Sequence, residues 1–390
     1  MEILVISHKY PPSIGGMQKQ CFELVKGLKK NNKVHHLIHE HGTSKLGFLI
    51  WVSFRARSIL KRYPNIDLVY ANDGLMAFFL TPLFWMTQKP IAVTIHGLDV
   101  VFPLGFYQKW VRKYLNRSAA VIAVSDGTTE EIKKRDVMPE RVFTVKNGFD
   151  PDFKPLEPDV AFKAHLAKKL RVDFEGKKVL VSIGRSVKRK GFSWMVEHII
   201  PQLEDVIYII IGPTLGDHDT VRRTEKMLPG ALWNTLVLLE GKPLDEITVH
   251  EKITELNLGD RVFHVSDLDN DEVAQTLMLA DLFVMPNLSV PGDYEGFGLV
   301  ALEAVMSGTL SVASRVDGIP SAITEDKNGI LLEPGNVDLW LRTIKDLLAD
   351  DGKRLALAEE YRNYTIENAS SWENMATQYE QVFQKILVDS

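Results

Sequence analysis

Apolar and polar positions along this chain follow two alternating rhythms. Short, mostly apolar runs recur at residues 3–7, 34–39, 68–71, 91–95, 121–124 and 142–146. Between them, as in 18–30 and 128–134, apolar residues return at the spacing of one helix face. The alternation restarts further on, with short runs at 178–183, 207–211, 262–265, 282–285, 310–313 and 329–332. Runs this short, separated by helix-length crossovers, predict parallel strands with helices on both faces. Two such blocks predict two doubly wound α/β domains.

The stretch 147–159 holds Gly148 and three prolines, Pro151, Pro155 and Pro158, which forbid regular structure. It separates an expected first domain, 1–155, from a second, 156–370. The pattern from 353 onward is helical with no strand after it, so it cannot extend a sheet. Its last part, 371–390, is expected to wrap a surface, with a return to the first domain open to it.

Composition narrows the class. An apolar content of 45% with 25% charged residues is that of a globular chain with full cores. The longest apolar run, 74–86, contains Thr81 and Pro82 and falls short of the roughly 20 residues a membrane span needs. The first seven residues have no basic leader and read as a strand. A single cysteine, Cys21, excludes an internal disulfide and fits a reducing, cytoplasmic setting. Charge is uneven: residues 1–150 carry 21 Lys and Arg against 12 Asp and Glu, and the remainder carries 25 against 39. A basic first half suits an anionic partner. The cations mix with aromatics in 102–114, which favours a membrane surface or an anionic acceptor; no nucleic-acid recognition motif accompanies them.

The chemistry-bearing positions cluster after strands. Glu295 and Glu303 are separated by seven residues. Glu295 sits in a turn with Gly292, Gly296 and Gly298, and Glu303 in a helical run beginning near Leu299. A turn that opens a helix offers free backbone N–H groups to a phosphate, and carboxylates beside it accept from sugar hydroxyls. In the second block, Gly184 ends a strand and is followed by Arg185, Lys188, Arg189, Lys190 and Gly191. Arg offers a planar fork and Lys a point charge to phosphate oxygens. A cation run alone is more often a solvated surface; beside the Glu295 turn it reads as a diphosphate clamp. Gly15 and Gly16 join the first strand to the first helix, and His96 precedes Gly97 at the end of another. No Walker or Gly-x-Gly-x-x-Gly pattern is present, which disfavours NTPases and dehydrogenases. No Gly-x-Ser-x-Gly elbow appears, and Cys21 has no adjacent base, so covalent Ser or Cys catalysis is disfavoured. The histidines 35, 36, 39 and 41 lack the carboxylate partners or helical spacing of a metal site.

Over nearly its whole length the chain resembles the retaining glycosyltransferases of family 4. The match runs through Gly15 and Gly16, His96, Gly97 and Asp99, Val124 and Ser125, and Asn147 to Asp150. It continues through Gly184, Arg185, Lys190 and Gly191, and then Glu295 and Glu303. The last two groups are the specific ones. The resemblance implies the GT-B fold, two facing Rossmann-like domains, with acceptor on the first and nucleotide-sugar donor on the second. By similarity, Arg185 and Lys190 hold the donor diphosphate with backbone N–H groups near Gly16 and Leu299. Glu303 bonds the ribose. Glu295, with Gly296, Phe297 and Gly298, holds the sugar, and His96 approaches the reacting centre. The base lies near 265–268, where Ser266 replaces a common glycine. No metal or other cofactor is expected. The segment 212–261 is longer than usual and includes Asp217, His218 and Asp219.

The expected activity is retaining transfer of a hexose from a UDP- or GDP-linked donor to a glycan or lipid-linked acceptor, with His96 and Glu295 as the catalytic residues; front-face transfer is expected, and Glu295 as a nucleophile is the alternative. The expected setting is the cytoplasmic membrane face, in polysaccharide or lipopolysaccharide synthesis. Two alternatives stand beside it: a nucleotide-sugar epimerase or hydrolase of the same fold, and a catalytically silent nucleotide-sugar-binding subunit.

Overall fold

The structure, a computed structural model, describes residues 1–13, 15–40, 42–151, 153, 159–215 and 242–389. Asp217, His218 and Asp219 of the long 212–261 segment, and His41, lie outside the described residues. The chain divides into two units: Met1–Asp150 with Tyr294–Leu299 and Ser370–Ser390, and Pro151–Asp293 with Val300–Ala369. The break after Asp150 falls a few residues before the expected boundary at 155.

The first unit is built on six parallel strands: β1 (Glu2–Ser7), β2 (Lys33–Ile38), β3 (Leu68–Ala71), β4 (Ile91–Ile95), β5 (Ala120–Ala123) and β6 (Val142–Thr144). Their order is β2-β1-β3-β4-β5-β6, all parallel. The helices of this unit are α1 (Gly16–Leu28), α2 (Lys45–Arg62), α3 (Gly74–Phe79), α4 (Leu83–Met86), α5 (Leu98–Val101), α6 (Gly105–Leu115) and α7 (Asp126–Lys133). Strands β1, β3, β4 and β5 are buried almost throughout, which is why they read as unbroken apolar runs rather than alternating ones. Strand β2 is an edge strand and half exposed. It ends at Ile38, leaving His39 and Glu40 beyond it, while His35 Nε2 lies 3.2 Å from Glu2 Oε2.

The second unit repeats the plan with α8 (Val160–Leu170), β7 (Lys178–Ile183), α9 (Phe192–Trp194), β8 (Val206–Ile211), α10 (Asp245–Glu255), β9 (Val262–Val265), α11 (Asn270–Leu279) and β10 (Leu282–Met285). It continues through α12 (Leu299–Met306), β11 (Leu310–Ser314), β12 (Ile330–Leu332), α13 (Val337–Ala349) and α14 (Asp351–Asn368). The sheet order is β12-β11-β10-β7-β8-β9, again all parallel. Its core is formed by Leu180, Tyr208, Val284 and Val312 from the sheet, with Trp340, Ile344 and Tyr361 from the helices.

The C-terminal helix α15 (Trp372–Val388) is capped by the Ser371 hydroxyl, which accepts from Asn374 N at 3.0 Å. It buries Met375, Tyr379 and Phe383 in the core of the first unit with Leu24, Leu28 and Tyr70. A buried polar network fixes its register. The Tyr379 hydroxyl lies 2.9 Å from Thr94 Oγ1 and accepts from Gln20 Nε2 at 3.1 Å. The junction is backbone-bonded on both sides: Phe149 N donates to Ser370 O at 3.0 Å, and Trp372 N donates to Phe149 O at 3.1 Å. Cys21 is fully buried against this helix, and burial pushes its thiol up to about 12. Such a thiol is inert at neutral pH.

The aromatics of 102–114 do not form the expected surface. Phe102, Tyr107 and Trp110 are buried, and Tyr107 stacks on Trp110 with centroids 5.4 Å apart. Of that stretch's Phe and Trp side chains only Phe106 is exposed. Exposed apolar residues gather instead on α2: Leu46, Ile50, Trp51 and Phe54, beside exposed Arg55, Arg57, Lys61 and Arg62. Leu46, Ile50 and Phe54 follow at four-residue steps, so they share one helix face.

Candidate active site

In the second unit the strand order reverses between β10 and β7. A crevice opens outside the carboxyl ends of parallel strands at such a switch point, and ligands of doubly wound sheets bind there. The loop after β7 carries Arg185 and Lys190; the loop after β10 leads to Glu295 and Glu303. The two expected cations and the Glu303 helix therefore leave neighbouring strands at one end of the sheet.

The two loops are locked to each other. Leu288 N donates to Arg189 O at 2.8 Å. Arg189 Nε donates to Asp293 Oδ1 at 3.0 Å, with both side chains almost buried. Gly191 has a φ of +68°, and a Cβ there would fall 2.0 Å from Pro286 O. Arg185 is exposed. Lys190 is buried, and its side chain folds back over the end of β7, so that a Cβ on Gly184 would meet Lys190 Cε at 3.0 Å. Asp245 braces the same loop from α10: its carboxylate accepts from Ser193 Oγ at 2.8 Å, and its backbone N donates to Ser186 O at 2.8 Å. Burial pushes the Asp245 carboxyl up, and the Ser193 hydrogen bonds offset part of that rise. Arg189 is thus a loop clamp, a role that its place in a run of three cations does not reveal.

In the first unit the corresponding reversal lies between β1 and β3. His8 follows β1 and Asp73 follows β3, and their side chains, both buried, meet at 3.1 Å between His8 Nδ1 and Asp73 Oδ2. Asp73 also caps α3 by accepting from Met76 N at 2.9 Å. Burial raises the Asp73 carboxyl, but the His8 ring beside it and these hydrogen bonds bring it below the ordinary aspartate range. The next strand, β4, delivers His96. Its Nε2 lies 2.9 Å from the carbonyl oxygen of Asn72, and its backbone N donates to Asp99 Oδ2 at 2.7 Å. A carbonyl can only accept, so the His96 proton sits on Nε2 and, in the neutral ring, Nδ1 keeps its lone pair. Burial and the neighbouring Asp73 push the Asp99 carboxyl up. Buried His8, Asn72 and Asp73 and half-buried Asp99 form the support for His96. Only His96 and Asp99 stand out in the sequence.

The segment Tyr294–Leu299 belongs to this first unit. Gly296 packs on the His96 peptide so closely that a Cβ would lie 2.1 Å from His96 O. Tyr294 and Phe297 are buried, Glu295 is half-buried, and Gly298 has a φ of +93° just before α12 begins at Leu299. Gly16 opens α1, and a Cβ there would lie 3.4 Å from Leu299 Cδ1. So the structure gathers His96, Glu295, Gly296, Phe297, Gly298, Leu299 and Gly16 in one unit. It places Arg185, Lys190 and Glu303 in the other.

Residues 167–372 match the family model for glycosyl transferases group 1, and residues 14–153 match glycosyltransferase family 4. A glycosyltransferase of Methanocaldococcus jannaschii without an assigned reaction is 23% identical over 428 aligned positions, covering 98% of each chain. The alpha-maltose-1-phosphate synthase of Mycolicibacterium smegmatis is 24% identical over 422 positions, 99% of this chain and 100% of that one. Among solved structures, Anabaena HepE in complex with UDP and glucose matches 99% of this chain and 100% of its own with a TM-score of 0.76 and 18% identity, a likeness of fold.

Proposed function

The chain belongs to the glycosyl transferases group 1 family, and from that membership we propose that it moves a hexose from a nucleotide diphosphate sugar to a glycan or lipid-linked acceptor, retaining the anomeric configuration. The observation that carries this reading is the pair of locked loops at the β7/β10 switch point, which hold a buried lysine over the end of β7. The bound UDP and glucose of HepE support a uridine diphosphate donor in a fold of this kind. In this reading Lys190 and Arg185 neutralise the diphosphate, the N–H groups at the start of α12 and near Gly16 add to them, and Glu303 accepts from the ribose hydroxyls. The base lies against 265–268.

Glu295 and the Gly296–Phe297–Gly298 backbone hold the sugar, and His96 Nδ1 accepts from one of its hydroxyls. The bond from the anomeric carbon to the phosphate oxygen breaks. The acceptor oxygen bonds to the same face of that carbon, and its proton passes to the departing phosphate. Cationic side chains supply the charge stabilisation, so the transfer step uses no metal.

Turnover of a panel of UDP- and GDP-sugars, with and without acceptor, tests the reading, with NMR of the product giving its anomeric form. Rapid acceptor-independent conversion to free or epimerised sugar would replace it with a hydrolase or epimerase. Donor binding without turnover across the panel would replace it with a silent binding subunit. Glu303→Gln is expected to raise the donor KM about 10–100-fold at nearly constant kcat, as loss of a charged hydrogen bond to a non-reacting group does. Glu295→Gln is expected to lower kcat about 100-fold with little change in KM.

The reading includes action at an anionic membrane surface, on the cytoplasmic face, in cell-surface polysaccharide or lipopolysaccharide synthesis. Its support is the basic first 150 residues together with the α2 face, where Trp51 and Phe54 stand exposed beside Arg55 and Arg57. Among the described residues no helix is long and apolar enough to cross a membrane. Sedimentation with anionic vesicles is expected at low salt, weaker at high salt, and lost in a Trp51→Ala/Phe54→Ala double variant. Absence of sedimentation at both salt levels would remove the membrane from the proposal.

A further inference from the structure

Three metal-ligating side chains converge in the second unit on α10 and β9, away from the loops that carry Arg185 and Lys190 and from the helix of Glu303. Glu246 and His250 stand one turn apart on the same face of α10, and His264 comes from β9. Their nearest ligand atoms all lie within 4.8 Å of one another. The β9 face that carries His264 also carries Val262, which shares a core cluster with Val249 of α10. Helix α10 therefore covers that face, and the His250 and His264 rings approach with centroids 6.2 Å apart.

The carboxylate of Glu246 has a distinct job at each oxygen. Oε2 accepts the backbone N–H of Leu215 at 2.7 Å, which fixes the buried side chain from the turn after β8. Oε1 faces His250 Nε2 at 3.8 Å, too long for a hydrogen bond. Two ligands of one tetrahedral zinc stand about 3.4 Å apart, since Zn–N and Zn–O bonds are about 2.0–2.2 Å. The three donor atoms, all within 4.8 Å of one another, stand within about 1.5 Å of that spacing. The backbone bond to Oε2 is the kind of outer support that metal-ligating carboxylates have. His250 is half exposed, which gives an ion a way in.

We propose that Glu246, His250 and His264 bind one zinc-class divalent ion, which pins α10 to β9 and to the turn after β8 and takes no part in sugar transfer. Two imidazoles with one carboxylate favour zinc, or a neighbouring late first-row metal, over magnesium or calcium, which take oxygen ligands.

The test uses the full, tag-free chain stripped with a chelator. Competition with a chromophoric zinc indicator is expected to show one equivalent bound, and the melting temperature is expected to rise with zinc but not with magnesium. Cobalt(II) is expected to give the visible absorption of a tetrahedral site. His250→Ala, at an exposed helix position that leaves the core untouched, is expected to weaken zinc binding more than about 100-fold, and His264→Ala to do the same. The proposal fails if the stripped wild-type chain takes up no zinc. It fails equally if uptake is unchanged in both histidine variants, which would assign the ion to another cluster.

Discussion

Replacing Lys190 with methionine is expected to lower kcat/KM for the donor about 100–1000-fold while leaving the thermal transition close to that of the parent chain. Methionine keeps most of the buried stem and removes the charge, so it separates electrostatics from packing. The lysine is buried and lies over the end of β7. A cation held there acts where water is largely excluded, and its attraction for a departing diphosphate exceeds that of a solvated surface lysine. Arg185 is exposed and loses more of its effect to solvent and salt, so Arg185→Met is expected to cost less than Lys190→Met. The comparison uses initial rates at saturating acceptor over a range of donor concentrations. A Lys190→Met enzyme with more than half the parental kcat/KM would remove Lys190 from the diphosphate site and leave it a packing residue.

The strands were legible because most lie buried on both faces, and a short apolar run between helix-length crossovers has few other readings. Several ends differ by a residue or two: β6 stops at Thr144 rather than 146, because pairing with β5 ends there. The motif residues were legible because each follows a strand at the carboxyl end of a sheet. Their supports were not. His8 and Asp73 belong to separate crossovers, and nothing in the local pattern of either links them. Within Lys188, Arg189 and Lys190 the chain offers three similar cations, and only the fold turns Arg189 to Asp293 and Lys190 to Gly184.

The aromatics misled for a related reason. Tyr107 and Trp110 lie three apart on α6 and define its buried face. Helix α2 is apolar on two faces, burying Phe48, Leu49, Val52 and Ala56 while exposing Leu46, Ile50, Trp51 and Phe54. The apolar residues of α2 therefore do not mark a single buried stripe, and the pattern alone does not separate its exposed face from its buried one.

Gly191→Ala is expected to destabilise the second unit by about 3–5 kcal/mol and to abolish transfer even where the variant is still folded. Two terms contribute, and a second glycine separates them. Gly176 and Gly191 both have a φ of +68°, a left-handed conformation that costs an alanine about 1–2 kcal/mol. A Cβ on Gly176 meets nothing within 4 Å, so Gly176→Ala carries the conformational term alone. A Cβ on Gly191 falls 2.0 Å from Pro286 O, a backbone atom that cannot rotate away. The Pro286 loop is tied back by the Leu288–Arg189 hydrogen bond and the Arg189–Asp293 pair, so it resists moving as a piece. Relief of the contact must therefore come from the Lys188–Lys190 turn, and that displacement carries Lys190 off the end of β7. Thermal unfolding of the two alanine variants in the same buffer isolates the steric term. If Gly191→Ala melts within about 1 kcal/mol of Gly176→Ala and still transfers sugar at the parental rate, the two loops are not locked as described, and Lys190 owes its position to something other than the Gly191–Pro286 contact.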